Sequence, residues 1–359
     1  MPFTADPLFP GDLFDAASRF AANAVTAIDD ADARHAVWRR AVEMGWTALL
    51  VDEARGGAGG SLADLSAVVE ACARHAPGLP LVRRCAQAPS LLMAAGTVSA
   101  DAALRALCAG EIDVDVGDGT ALALLEMPGG GLRLDGTLAG LDAGLPWSHA
   151  LVAAGNALLM LPRTILPDPH ARYAGIDGMR CADVALDGLL LPASSLLVRG
   201  PAAIAAVGVA DDLAALVTAV EMGAALGATI EHCIAHLSGW TQFGVALSTF
   251  QVLRHRVVDL YVQYESAGVL LARLVREAVS KGRLASRDAS LCKLYLNEVA
   301  RRAAEASIQL HGGMGMTAEL PASRLVRRLL CAAFEAGDRK WHLARLAATS
   351  PDMQSAQPA

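Results

Sequence analysis

Lysine is almost missing from this chain: Lys281, Lys293 and Lys340 are the only three in 359 residues. Positive charge therefore rests on arginine, and it is not gathered into blocks. The net charge of −7 is spread along the chain, which argues against a nucleic-acid partner. No apolar run reaches the ~18 residues that a bilayer-crossing helix needs, so no membrane span is expected. The opening M-P-F-T-A-D-P-L-F-P-G-D has neither a basic n-region nor an apolar h-region. A secretory signal is not expected there, and the cytoplasm is the expected location. Cys72, Cys85, Cys108, Cys181, Cys233, Cys292 and Cys331 are odd in number and never close-spaced. They exclude a disulfide frame and a zinc site, and read as small buried hydrophobes in a reducing compartment. His232 and His236 share a helix face, but H-C-I-A-H lacks the glutamate of H-E-x-x-H, so no metal site is expected. With no G-x-G-x-x-G after a strand and no phosphate-binding P-loop, a Rossmann or nucleoside-triphosphatase reading has little support.

What is abundant is apolar, at 54% of the residues, and much of it is alanine. That composition predicts a largely helical protein. Residues 1–115 read as a helical N-terminal domain, with a first helix from Asp12 to about Ala27. A second is capped by Asp30 and carries Val37, Trp38, Ala41 and Val42 on one face. Further helices fall over 80–95 and 100–109. Residues 116–200 change character, with short β-type runs broken by Gly, Pro and Asp. They predict a middle β domain, a small antiparallel barrel or sandwich. Residues 201–348 return to helical periodicity, in four helices over about 209–238, 249–281, 286–310 and 321–347. Short links make these a C-terminal four-helix bundle. The tail 349–359 has the composition of a disordered end.

The bundle is interrupted by Q-L-H-G-G-M-G-M-T-A-E-L-P-A-S-R-L-V-R, from Gln309 to Arg327. A helix runs into Gly312, Gly313 and Gly315, and Glu319 and Pro321 open the next one. Glycines at such a bend expose backbone N–H groups to an anion or a flat polar ring. A second break, W-T-Q-F-G-V-A-L-S-T-F-Q, starts at Trp240 and sets an aromatic and an amide beside a glycine.

Both segments resemble acyl-CoA dehydrogenases. Q-L-H-G-G-M-G-M-T-x-E-x-P-x-x-R-x-x-R looks like the C-terminal signature of that family. The pattern R-x-Q-F-G-x-x-x-x-x-F-Q, followed by H-R-x-x-D, is matched by Gln242, Phe243, Gln251, His255, Arg256 and Asp259. W-R-R-A-V-E-M-G-W-T-A-L-L-V-D-E-A-R-G-G-A-G-G resembles the family's helix leading into a P-E-x-x-G-G loop, with Asp52 in place of proline. The resemblance implies an FAD site completed by two subunits, with Gln242, Phe243, Gln251, Gln309, Gly312 and Gly313 as cofactor-binding residues. It further implies an acyl-CoA substrate, an electron-transfer flavoprotein or similar acceptor, and a homo- or hetero-oligomer. Trp240 departs from the pattern: it stands where an arginine normally meets the FAD pyrophosphate. The middle-domain loop T-E-P-x-x-G-S-D is reduced to L-E-M-P-G-G-G, Leu125 to Gly131.

The implied reaction is α,β-desaturation of the thioester, with a carboxylate as base and the flavin as hydride acceptor. The family's base position falls on Ala336, beside Glu335, and a second known position falls near Ala214. Glu335 is the candidate catalytic residue. Adjacency is not equivalence, because one residue turns a helical side chain by about 100°. Asp211, Asp212 and Glu221 read as exposed helix charges. Three functions are compatible with this pattern: a competent dehydrogenase, a non-catalytic partner that completes the FAD site of a fuller relative, and a flavin-dependent monooxygenase of the same fold. Lacking the arginine, the full loop and a base at 336, the chain is similar to the shorter subunit of mixed, two-gene acyl-CoA dehydrogenases, which act in lipid and steroid breakdown.

Overall fold

The structure is a computed structural model and describes residues 4–24, 30–75, 78–128, 131–317 and 320–348. The chain folds into two compact units: Met1–Val25, Leu62–Gly78 and Ala215–Ala359 form one, and Thr26–Ser61 and Leu79–Ala214 the other.

The second unit holds the sheet. Of the first five helices, α1 (Asp12–Ala24) and α3 (Leu62–His75) lie in the first unit, while α2 (Ala31–Glu43), α4 (Ala88–Ala95) and α5 (Val98–Cys108) lie in the second. Asp30 caps α2 as expected, its carboxylate accepting from Ala33 N at 2.8 Å. Seven strands follow: β1 (Val114–Glu126), β2 (Leu132–Asp142), β3 (His149–Ala154), β4 (Ala157–Pro162), β5 (Ala171–Ala174), β6 (Arg180–Leu191) and β7 (Leu196–Arg199). They pair in the order β5-β6-β2-β1-β3-β4-β7. All pairings are antiparallel except β1 with β3, so the sheet is mixed where an all-antiparallel one was expected. The reason is the length of β1. Its first residues, Val114–Gly117, pair with β3, and after a register shift at Asp118 the remainder pairs with β2.

The two-residue period of a strand sorts the side chains onto two faces. Ala150, Val152 and Ala154 of β3, with Leu159 and Leu161 of β4, pack against Leu134 and Leu138 of β2 and Val184 and Leu186 of β6. Both halves of the sheet thus close over one core, the sandwich-like element expected. Leu151, Leu158 and Met160 point the other way and pack with Leu91, Leu92, Leu104 and Leu107 of α4 and α5. A strand with both faces covered reads as a continuous apolar run, which is what H-A-L-V-A-A and A-L-L-M-L-P are.

The first unit is helical. α6 (Pro201–Gly239) crosses the unit boundary. It is followed by the two-residue strands β8 (Thr241–Gln242) and β9 (Val245–Ala246), then α7 (Gln251–Lys281), α8 (Ser286–His311), α9 (Pro321–Ala332) and α10 (Arg339–Ala348). α6 starts earlier than its apolar periodicity suggested, with Pro201 at its first position, where the missing N–H costs nothing. By length and composition α6 could cross a membrane, but 61% of its most apolar window is buried inside the protein, as in a core helix. Leu226, Ile230, Cys233 and Leu237 of α6 pack with Leu260 and Tyr264 of α7 and Val299, Ala303 and Leu310 of α8. α7 ends at Gly282 in left-handed conformation, as Lys281-Gly282 predicts.

The helix expected over 321–347 is two helices. Residues 333–338 form a bridge between α9 and α10, with Ala336 at φ 51° and Gly337 at φ 97°. Gly337 has no alternative there, since a Cβ would stand 2.6 Å from His342 Nε2 and from Trp341. The expected end of the first helix at Ala27, residue Glu319 and the tail 349–359 lie outside the described residues.

Candidate functional site

Two groups of side chains in the first unit carry chemistry. One joins the α6–α7 turn to the glycine bend. β8 and β9 form a hairpin whose two-residue turn is Phe243-Gly244, at φ 54° and 80°. Such turns need positive φ at both positions and ordinarily use Asn or Gly. Phe243 accepts that strain and is 84% exposed. Gln242 and Gln251 are also exposed. Gln309 is exposed near the end of α8, and the chain turns through Gly312 (φ 61°) and Gly313, where a Cβ would meet nothing within 4 Å. Gly315 differs: its Cβ would lie 2.7 Å from Ile308 O, so this glycine serves packing.

A column of rings joins the segments. Trp240 stacks on His236 at 5.8 Å, and His236 meets His311 at 4.7 Å. His311 is buried and donates from Nδ1 to Ser307 O at 2.9 Å, which anchors the column immediately before Gly312. The column links the turn that carries Gln242 and Phe243 to the end of α8, where Gln309 and Gly312 flank His311.

Glu335 belongs to the second group. It lies on the bridge and is held by Arg328 of α9, whose Nη1 and Nη2 donate to its two oxygens at 2.6 Å each. The same guanidinium donates to Glu221 of α6 from Nε at 2.6 Å and from Nη2 at 2.9 Å. Burial opposes the charge on Arg328, but Glu221 and Glu335 more than offset it and hold its pKa well above the ordinary value. Glu221 is buried, not an exposed helix charge, because it serves as the inner counter-ion of a buried arginine. Asp212 is likewise buried, and Asp211 is half-buried and accepts from Gln87 Nε2 at 3.2 Å. Ala214 is buried and carries no acid.

Beneath the bridge lies Lys293 of α8, wholly buried. Its Nζ donates to Asn297 Oδ1 at 2.6 Å, Ala332 O at 2.9 Å and Gly337 O at 3.3 Å. Burial, only partly countered by Glu335, pushes its pKa down to about 7. His342 of α10 donates from Nε2 to Ala336 O at 3.0 Å, and burial brings its pKa down to about 4.

Arg328, Lys293 and His342 were not found from the sequence, and Glu221 reads there as an exposed charge. One signal was available. Helical period sets Arg328 in the apolar stripe of Leu325, Leu329 and Ala332, whereas Arg324 and Arg327 flank it.

Comparison with known proteins explains the two segments. The family model "Acyl-CoA dehydrogenase, C-terminal domain" matches residues 212–350, and "Acyl-CoA dehydrogenase, N-terminal domain" matches residues 12–111. The chain belongs to the acyl-CoA dehydrogenase family. Similar relatives include acyl-CoA dehydrogenase IpdE2 of Mycobacterium tuberculosis, 28% identical over 79% of this chain and 76% of that protein. Acyl-CoA dehydrogenase FadE34 of the same organism is 29% identical over 83% of this chain, which spans 40% of its length. Among solved structures, the Tcur3481–Tcur3483 steroid ACAD superposes with TM-score 0.81 at 22% identity, covering 96% of this chain and 98% of that one. The ChsE4–ChsE5 complex of Mycobacterium tuberculosis also gives 0.81, at 17% identity and 99% and 100% coverage, which shows the shared fold.

The acyl-CoA dehydrogenase family binds FAD. Open glycine backbone, exposed amides and an exposed aromatic suit a flavin dinucleotide, while the position normally held by arginine offers only the indole of Trp240, 49% exposed.

Proposed function

We propose that this chain is one subunit of an oligomeric FAD-dependent acyl-CoA dehydrogenase. It completes the FAD site of a partner that carries the catalytic base. The observation that supports this reading is the bridge. Residue 336, where the family has its acid, is an alanine in left-handed conformation, and both oxygens of the neighbouring Glu335 are taken by Arg328. A general base must be free to turn toward the α-proton, and a carboxylate paired through both oxygens to a guanidinium is oriented toward that arginine instead. Gln242, Phe243, Gln251, Gln309, Gly312 and Gly313 would hold FAD across the subunit boundary. The flavin, when bound, supplies hydride acceptance; this chain supplies backbone donors, amides and an aromatic wall. The two-component make-up of the solved Tcur3481–Tcur3483 steroid ACAD and of the ChsE4–ChsE5 complex favours a mixed oligomer, and the former's name favours a steroid-sized acyl-CoA as substrate. An electron-transfer flavoprotein or similar acceptor would reoxidise the cofactor.

The test is spectroscopic. The chain purified alone is expected to be colourless. Co-expressed with a fuller family member that has arginine and glutamate at the two positions, it is expected to give a yellow complex that acyl-CoA bleaches. A yellow chain, purified alone and bleached by acyl-CoA, would sink this reading.

One observation favours a second reading, in which Glu335 is itself the base: its side chain is 45% exposed, whereas those of Arg328 and Glu221 are 7% and 8%. It could leave Arg328 without stranding the arginine, which keeps Glu221. Unchanged turnover of Glu335→Gln rules this out.

A further inference from the structure

Residues 4–9, the stretch before α1, belong to neither helix nor strand. Their backbone groups are nevertheless held, by side chains of three helices. Glu70 of α3 accepts from Leu8 N with one oxygen and from Phe9 N with the other, both at 2.7 Å. Arg74, one turn further along α3, donates from Nη2 to Ala5 O at 2.7 Å. Glu231 of α6 accepts from Ala5 N at 2.8 Å, and Tyr264 Oη of α7 donates to Asp6 O at 2.7 Å. Pro7 has no N–H to place, and its fixed φ lowers the cost of ordering the stretch. Glu70 is wholly buried, and because both its oxygens accept from N–H groups it is an ionised carboxylate. The two N–H groups stand in for the water it would otherwise bind.

The side chains are seated as closely. Leu8 reaches in where α6 and α7 each carry a glycine. A Cβ on Gly223 would stand 3.3 Å from Leu8 Cδ1, and one on Gly268 would stand 2.8 Å from Leu8 Cδ2. Glycine is a poor helix former, so its place inside both helices marks the close approach of another group. Ala5 and Phe9 are buried, whereas Thr4 and Asp6 are exposed. A bound peptide is held in this way: the receptor's side chains take its backbone groups, and an apolar anchor fills a fitted seat. None of these bonds belongs to a helix or sheet ladder, so breaking them leaves the backbone bonds of α3, α6 and α7 intact.

We infer that α3, α6 and α7 form a peptide-binding groove whose resident ligand is residues 4–9, and that the groove, once vacated, takes a separate peptide of the same kind. The ligand class is a short extended peptide with a small residue, a proline and a leucine at the spacing of Ala5, Pro7 and Leu8. Burial of Ala5 limits its position to a small side chain, and the glycine-lined seat selects leucine. Thr4 and Asp6, which face water, are free to vary. The inference goes beyond the proposed reaction and does not depend on it, since neither FAD nor the cofactor segments take part.

The test uses the full chain. In the unaltered protein the amides of Ala5, Leu8 and Phe9 should exchange by local opening. Corrected for intrinsic rates, they should exchange about ten-fold or more faster than the helical amides of α3, α6 and α7 that line the groove. One common rate for both sets would make the stretch an integral part of the fold and overturn the inference. Leu8→Asp sets a second carboxylate against Glu70 and should evict the stretch. This variant should bind the blocked peptide acetyl-T-A-D-P-L-F-P-G-amide saturably, read by calorimetry, and its thermal midpoint should rise with peptide concentration. The unaltered protein, its groove filled, should bind that peptide about ten-fold or more weakly. A peptide with Asp in place of its Leu should bind the variant no better. Lack of saturable binding, equal binding by the unaltered protein, or equal binding of the altered peptide overturns the inference. If Leu8→Asp does not fold, the exchange rates of the unaltered protein decide.

Discussion

Arg328 grips Glu335 end-on through two 2.6 Å hydrogen bonds while its side edge is bound to Glu221, so one guanidinium serves two carboxylates, one buried and one half-exposed. The arrangement makes Arg328 the anchor of the bridge and Glu335 its outer tie.

Removing the anchor and removing the tie should differ sharply. Arg328→Met strands a buried Glu221 and should destabilise the protein by about 3–5 kcal/mol. Glu335→Gln removes the exposed partner and should cost less than about 1 kcal/mol. Denaturant unfolding of both variants checks this; equal losses would show that Glu221 does not depend on Arg328.

The bridge stores strain at Ala336. A left-handed alanine costs about 1–2 kcal/mol, and glycine there forfeits about 0.5–1 kcal/mol of chain entropy, so Ala336→Gly should stabilise by up to about 1 kcal/mol. The denaturant midpoint should rise at unchanged slope. A lower midpoint would mean that the left-handed conformation is not populated.

His342 makes stability depend on acid. Its folded pKa of about 4 lies below the ordinary 6.5, so the unfolded chain binds more protons between those values. The contribution of the neutral ring is complete above pH 6.5, declines as pH falls toward 4, and is level below. Subtracting the pH–stability curve of His342→Gln from that of the unaltered protein should leave a slope confined to this window.

Trp240 bears on the cofactor. If the proposed function holds, Trp240→Arg adds a charge-assisted phosphate contact, which should tighten FAD binding by about 1.5–3 kcal/mol. The gain should shrink as salt rises. Calorimetric titration of the complex with FAD reads both; no gain at low salt would show that the pyrophosphate does not pass this position.

The helices and strands were legible in the sequence because they rest on local pattern. Apolar positions at helical spacing marked α7 and α8, with Gly282 ending the first of them. The glycine-broken apolar runs marked the strands. The two glycine-bearing breaks between helices were legible too, since Gln242, Phe243, Gly312 and Gly313 stand in short contiguous motifs. Tertiary structure decided the rest. Whether β1 pairs parallel with β3 depends on which neighbour its first residues meet. The break between α9 and α10 depends on Lys293 and His342, which approach from elsewhere in the chain to take carbonyls that a continuous helix would keep. Above all, Glu335 and Glu221 are 114 positions apart, and no local signal says that they share Arg328. The sequence by itself determined that residue 336 has no carboxylate. Only the packing of α6, α9 and the bridge around one buried guanidinium decided that its neighbour's carboxylate is already engaged, because a buried charge binds whatever opposite charge the fold brings within reach.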